Sequence, residues 1–231
     1  MSLVEIRGLT KIYEKEGVEV PALRGVDLDI EEGEYAAIMG PSGSGKSTLM
    51  HLLGCLDRPT SGTYILDGDD ISRLTDNQLS NIRNKRVGFV FQSYNLIAQL
   101  NLIENVEIPL FYMGWPRWKR HQKSLELVEL VGLGDRLYHR PAELSGGQLQ
   151  RAAIARALVN DPRLILADEP TGNLDTKTGK EILQIFDKLH QAGRTIIVVT
   201  HDAGIANSSN RILHLVDGRL VKDEVTQGVS V

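Results

Sequence analysis

Eight consecutive residues, Gly40, Pro41, Ser42, Gly43, Ser44, Gly45, Lys46 and Ser47, match the spacing GxxxxGK[ST], and Thr48 follows directly. They follow the apolar run Tyr35 to Met39 and precede a helix-like run from Thr48 to Leu53. Glycine at Gly40, Gly43 and Gly45 lets a backbone curl without Cβ clashes, so that successive amide N–H groups and a helix N-terminus converge on phosphate oxygens. Lys46 is then expected to reach the β and γ phosphates of a nucleotide, and the Ser47 hydroxyl to hold the Mg²⁺ that bridges them. A flexible Gly-Ser loop ahead of a helix is the plain alternative, and the strand-loop-helix setting argues against it.

A second chemical signal is the run Leu164 to Ala167 ending in Asp168 and Glu169. An apolar strand that ends in two acids places them at the carboxyl edge of a parallel sheet, where open α/β folds bind ligands. Beside a phosphate cradle, Asp168 can support Mg²⁺, and Glu169 can act as general base on a water that attacks the γ phosphate. The two side chains are expected to point apart, and Pro170 to hold Glu169 in an extended conformation. Without the cradle, Asp-Glu-Pro-Thr-Gly would read equally well as a solvated turn.

The chain that must position these groups has 231 residues, 42% of them hydrophobic and 24% charged, enough to bury one sizeable core. Its net charge of −4 excludes the broad basic footprint of a dedicated nucleic-acid binder, so no nucleic-acid partner is expected. One cysteine, Cys55, cannot form an internal disulfide and fits a reducing compartment. The start, Met1 to Tyr13, carries no secretory signal pattern, and no apolar stretch approaches the length of a spanning helix. A cytoplasmic chain that reaches a membrane only through a partner is the expectation.

Short apolar runs at Val4 to Ile6, Ala22 to Ile30, Tyr35 to Met39 and Thr63 to Leu66 predict a β-rich first third. Helical spacing takes over from about Asn101 to Leu158, as in Leu125, Val128 and Val131, and marks an inserted helical lobe. Leu164 to Ala167 and Thr195 to Thr200 show no polar alternation, as buried parallel strands would not, and a helix-like segment from Thr176 to His190 lies between them. Arg211 to Val216 and Arg219 to Val221 predict a closing hairpin, with a polar tail after Asp223 expected to fray.

The stretch Leu144-Ser145-Gly146-Gly147-Gln148, together with the cradle and the acid pair, resembles the ATP-binding subunit of ABC transporters. Tyr13, Gln92, Gly172 to Asp175 and His201 stand in that family's order, so the resemblance covers essentially the whole chain. Arg140 to Gly147 and Ala167 to Asp175 are most similar to the lipoprotein-releasing, macrolide-type and antimicrobial-peptide exporters. The resemblance implies an α/β fold: a P-loop NTPase, RecA-like core with an N-terminal antiparallel β layer and an inserted helical subdomain. Residues 1–92 and 159–231 would form the core, and 93–158 the helical subdomain, within one domain.

The same resemblance assigns roles. Tyr13 would stack on adenine, Gln92 would contact Mg²⁺ or the attacking water, and His201 would bond the γ phosphate. Ser145, Gly146, Gly147, Gln148 and Asp175 would meet the nucleotide held by a second copy, in a two-fold homodimer around two Mg²⁺-ATP. Ser145 followed by Gln148 also reads as a capping box, which can coexist with that role. An integral membrane permease would dock near Gln92, with Ser93 to Pro109, Phe111, Tyr112, Trp115 and Trp118 as candidate contacts. The activity implied is ATP hydrolysis at the cytoplasmic face of the inner or plasma membrane, powering export or extraction of a lipoprotein, peptide or hydrophobic drug. An alternative use of the same motifs is mechanical signalling to a cell-envelope partner without transport.

Overall fold

A computed structural model of the protein describes residues 2–15 and 17–226. The chain opens with β1 (Ser2–Lys15) and β2 (Val18–Glu31), and β3 (Tyr35–Met39) leads into α1 (Lys46–Leu53). Next come β4 (Ser61–Leu66), β5 (Asp69–Asp70), α2 (Asp76–Arg86) and β6 (Val87–Phe91). Three helices, α3 (Leu102–Tyr112), α4 (Arg117–Leu130) and α5 (Gly146–Leu158), separate β6 from β7 (Leu164–Asp168). The chain closes with α6 (Thr176–Gln191), β8 (Thr195–Val199), α7 (Ala203–Ala206), β9 (Arg211–Val216) and β10 (Arg219–Val225).

These strands form two sheets, an antiparallel one in the order β2-β1-β4-β5 and a larger one in the order β10-β9-β3-β8-β7-β6. In the larger sheet β9, β3, β8, β7 and β6 run parallel, and β10 returns antiparallel along β9. Alternate residues of its central strands feed different cores. Leu164, Leu166, Ile197 and Val199 pack with α1 and the antiparallel sheet, whereas Ile165, Ala167, Ile196 and Val198 pack with α3, α5 and α6. Burial on both faces is why neither strand alternates in polarity.

Two sequence expectations change. The tail after Asp223 does not fray at that point: β10 continues to Val225, with Glu224 opposite Ile212 and Val225 opposite Arg211. The Arg211 guanidinium holds Asp223 at 2.7 Å through two parallel bonds, which extends the hairpin. Residues 227–231 of that tail lie outside the described residues. Helix α2 was not expected, because Leu79 is its one buried residue and no apolar stripe marks it; a capping box between Thr75 and Gln78 starts it instead.

The later part of the connection from β6 to α3 is held by one buried side chain of α3. Asn105 donates from Nδ2 to the carbonyls of Ile97, Leu100 and Asn101, and its Oδ1 accepts the Ile97 N–H at 2.7 Å. Replacing it by an apolar residue would leave the Ile97 N–H and the Leu100 carbonyl without their partner in a partly buried place, while the Ile97 and Asn101 carbonyls keep the Leu100 and Asn105 N–H groups. Asn105→Leu is therefore expected to lower unfolding stability by on the order of 2–4 kcal/mol, read as a lower urea midpoint.

Candidate functional site

Register is what assembles the site. Phe91 pairs with Asp168, Asp168 with Val199, and Val199 with Ile38, so the last residues of β6, β7 and β8 and the next-to-last of β3 lie in one row across the sheet. The residues one step further, Gln92, Glu169 and Thr200, leave the sheet together at its carboxyl edge. Gly40, Pro41, Ser42, Gly43, Gly45, Lys46, Ser47 and Thr48 line a cavity of about 720 Å³ at that edge, together with Gln92, Asp168, Glu169 and His201. Val20, Pro21 and Ala22 form another wall.

The loop before α1 is shaped by close approach. Gly43 and Gly45 take φ of +79° and +103°, and a Cβ on Gly45 would sit 2.6 Å from the Ala22 carbonyl oxygen. Helix α1 has no side-chain cap and no acid in its first turn, so its leading N–H groups remain available to an anion. The Lys46 ammonium donates to the carbonyls of Gly40 and Pro41 at 2.8 and 2.9 Å, which holds its charge over the loop. Ser44 is buried and does not line the cavity; its N–H donates to Pro41 O, and its carbonyl accepts the Gly218 N–H.

At the acid pair the structure corrects the expected extended backbone. Glu169 takes φ of +44°, a left-handed conformation uncommon for a side-chain-bearing residue. A bond from its N–H to the Val199 carbonyl at 2.9 Å fixes it, and the Gly172 N–H returns to the Glu169 carbonyl at 3.0 Å. Pro170 disfavours the right-handed helical region at Glu169, and these two bonds select left-handed rather than extended backbone. Both carboxylates consequently border one cavity. Glu169 Oε1 accepts from the His201 backbone N–H at 3.1 Å and lies 2.6 Å from His201 Nδ1, while Thr200 Oγ1 donates to Oε2 at 3.3 Å. The Asp168 carboxyl is pushed up from its usual range, first by burial and then by the Glu169 charge, with His51 and Lys46 opposing.

Ser47, Asp168 and Gln92 supply hydroxyl, carboxylate and amide oxygen to this cavity, the hard donors that Mg²⁺ prefers. Among the described residues no group of three His, Cys, Asp or Glu could hold a metal ion alone. A cation here would complete its shell with phosphate oxygens and water, the usual habit of Mg²⁺. The donor set fits.

Other expected residues stand apart from the cavity. Tyr13 is 38% exposed and pairs with Val20 across the β1–β2 ladder, but does not itself line the wall. Its hydroxyl donates to Asp57 Oδ2 at 3.0 Å, and Lys11 Nζ sits 4.9 Å from its ring centre. Ser145, Gly146, Gly147 and Gln148 form the start of α5 and lie outside the cavity wall; the Ser145 hydroxyl accepts the Gln148 N–H, and Gln148 Oε1 accepts the Ser145 N–H. Asp175 caps α6 by accepting from the Lys177 and Thr178 N–H groups, and those bonds hold its carboxyl below the usual range, that from the Thr178 hydroxyl foremost.

Sequence reasoning passed over several contributors. Asn173 locks Gln92 from both sides: Gln92 Nε2 donates to Asn173 Oδ1 at 3.3 Å, and Asn173 Nδ2 donates to the Gln92 carbonyl at 3.0 Å. A Cβ on Gly172 would fall 2.6 Å from Gln92 Nε2, so a side chain there would displace the same amide. Gln150, buried in α5, donates to the Pro170 carbonyl at 2.7 Å. No spacing rule marks such single amides: Asn173 lies within the Gly172 to Asp175 stretch, but nothing in its residue type ties it to Gln92.

A protein-family model described as "ABC transporter" matches residues 23–172. An uncharacterized ABC transporter ATP-binding protein from Thermotoga maritima is 57% identical over 94% of this chain and 93% of its own length. A macrolide export ATP-binding/permease protein from Paracoccus denitrificans is 50% identical over 97% of this chain, which spans 34% of that longer protein. Among solved structures, an ATP-binding cassette captured as a dimer in a post-hydrolysis state with ADP and Pi superimposes with a TM-score of 0.90 at 44% identity. That match covers 98% of this chain and 100% of the other.

The Gln92–Asn173 lock generates an expectation of its own. Asn173→Ala leaves the phosphate loop intact but frees the Gln92 side chain, so nucleotide affinity should hold while kcat falls about ten-fold or more, measured by phosphate release under saturating ATP.

Proposed function

The chain belongs to the ABC transporter family of ATP-binding cassettes, and from that premise we propose that it is the ATP-hydrolysing subunit of a transporter, working as a homodimer beneath a membrane permease. The observation that carries this reading is the convergence of the Lys46 loop, the Asp168–Glu169 pair and His201 on one cavity at the sheet edge.

In this mechanism the α1 amides and the Lys46 ammonium bind the phosphate chain, with Lys46 exchanging the Gly40 and Pro41 carbonyls for phosphate oxygens. Ser47, Asp168 and Gln92 would hold Mg²⁺, which offsets phosphate charge when bound. Glu169 accepts a proton from the attacking water at a carboxylate oxygen, as ATP and water become ADP and phosphate. Its bonds from His201 and Thr200 orient the carboxylate, and His201, 75% exposed at its side chain, remains able to reach a γ phosphate through its other ring nitrogen.

The α5 N-terminus at Ser145 lies outside the lining of its own cavity, and in this reading a second copy brings its Ser145–Gln148 turn to this phosphate in a two-fold arrangement. Dimeric relatives support that reading. No helix among the described residues is long and apolar enough to cross a membrane. Membrane attachment would therefore come from the permease, seated in a second cavity of about 680 Å³ lined by Phe89, Phe91, Asn95, Pro109 and Tyr112. Likeness to macrolide exporters supports export or extraction of a hydrophobic drug, peptide or lipoprotein at the cytoplasmic face.

Glu169→Gln removes the base while keeping both phosphate contacts, so the variant should form a stable dimer with ATP and Mg²⁺ by light scattering; a persistent monomer would count against the shared site. Lys46→Ala should weaken nucleotide binding by about 100-fold or more, since a charge-assisted contact is lost, and unchanged calorimetric affinity would reject the cradle.

A further inference from the structure

The corner between α3 and α4 is an exposed aromatic and basic surface that the hydrolytic site does not use. Phe111, Tyr112 and Trp118 are 60%, 76% and 70% exposed, although each ring could bury a large apolar area. Over residues 111–123 the chain carries Arg117, Lys119, Arg120 and Lys123 and no acid, within a protein whose net charge is −4. The rings and cations are interleaved: Lys119 Nζ lies 4.3 Å from the Trp115 ring centre, and the Arg120 guanidinium lies 5.3 Å from that of Phe111.

The acids that face this corner are few. Glu107 from α3 holds Arg120 and His121, and Glu126 lies 3.5 Å from Lys123. Arg117 and Lys119 have no carboxylate partner among the described residues. Both stand in the first turn of α4, which has no acid and no side-chain cap, so their charge adds to the positive end of the helix dipole. Local stability would favour the opposite sign there, a conflict expected where a surface meets a partner.

Protruding Trp, Tyr and Phe beside uncompensated Lys and Arg are the chemistry of a membrane-water interface: amphipathic rings settle at headgroup depth, and cations are drawn to anionic lipid. Trp118, Arg117 and Lys119 line neither of the two cavities, whereas Tyr112 lines the groove assigned above to the permease. That continuity sets the corner beside the permease groove, where a bilayer would be within reach. We propose that residues 111–123 rest in the anionic headgroup layer beside the permease. The location, though not the lipid affinity itself, rests on the transporter reading.

Both tryptophans of the protein, Trp115 and Trp118, lie in this corner, so its intrinsic fluorescence reports on the contact directly. The full chain should co-sediment with vesicles of two parts phosphatidylcholine to one part phosphatidylglycerol, and not with pure phosphatidylcholine. Brominated phosphatidylcholine in the mixed vesicles should quench its emission, and raising salt from about 0.1 to 0.5 M should weaken binding. Each cation near an anionic surface contributes roughly five-fold, ~1 kcal/mol. Arg117→Glu with Lys119→Glu should thus lower partitioning by about 100-fold or more, and Trp118→Ser by about ten-fold, with ATP hydrolysis in solution unchanged.

Absence of anionic-vesicle binding, absence of quenching, or undiminished binding by the double variant each overturns the proposal. So does loss of permease co-purification in detergent by the double variant without any lipid binding by the wild type, which would assign the corner to protein. Wild-type chain that binds vesicles but fails to hydrolyse ATP would sink the transporter reading and leave the lipid contact standing.

Discussion

The site depends on level strand ends. Val199 is paired on one side with Asp168 and on the other with Ile38, and the ladder continues one step past the strands through Glu169 N–H to Val199 O and Thr200 N–H to Ile38 O. Those two bonds place the acid pair, the threonine and the phosphate loop at one height. Both faces of these strands are apolar, so burial alone would not strongly oppose a slip of one residue, unlike in a sheet with a wet face. Side-chain size and the bonds at the strand ends must hold the register. A slip would carry the β7 carboxylates away from Lys46 and His201.

The helical segment is tied to that edge at three points, two of them on α5. Arg156 donates to the carbonyls of Tyr94 and Asn95, two neighbouring residues with φ of +61° and +49°, just past Gln92. Gln150 holds the Pro170 carbonyl, one residue past Glu169. Asn105 on α3 holds the remainder of the β6–α3 connection. Displacement of α5 would therefore be felt at the exits of β6 and β7 together. Strained left-handed residues at Tyr94, Asn95 and Glu169 persist because these bonds over-determine them.

How much of this could be read beforehand varied with the kind of signal. The phosphate loop was legible because its glycines answer a local demand, positive φ at Gly43 and Gly45, which restricts residue type at fixed spacing. The strands β7 and β8 were legible because burial on both faces leaves an unbroken apolar run. Helix α2 was not, since its amphipathic stripe is nearly absent and only the Thr75–Gln78 cap betrays it. The backbone of Glu169 was misjudged for a related reason. Pro170 speaks only to local sterics, whereas the choice between extended and left-handed is made by Val199, thirty positions away along the chain and adjacent in space. Asn173 and Gln150 act as single amides with partners distant in sequence, and no period or spacing encodes that.

The Ser145–Gln148 turn shows where a motif alone stops being decisive. A Cβ on Gly147 would lie 2.4 Å from Thr178 Cγ2, so packing of α5 against α6 demands that glycine within one chain, whatever a second copy does. Gly146 is less constrained: a Cβ there would lie 3.1 Å from Tyr94 Oη and 3.2 Å from Leu174 Cδ2. Ser145 is different again. Its oxygen accepts the Gln148 N–H as a cap, which uses a lone pair and leaves the hydroxyl hydrogen free to donate. Capping therefore does not use up the side chain's capacity to donate, and the first-turn N–H groups of Gly146 and Gly147 have no partner within the helix. Intramolecular packing accounts for Gly147 without a partner. It does not account for Ser145, whose donor capacity lies at a helix end outside the lining of its own cavity.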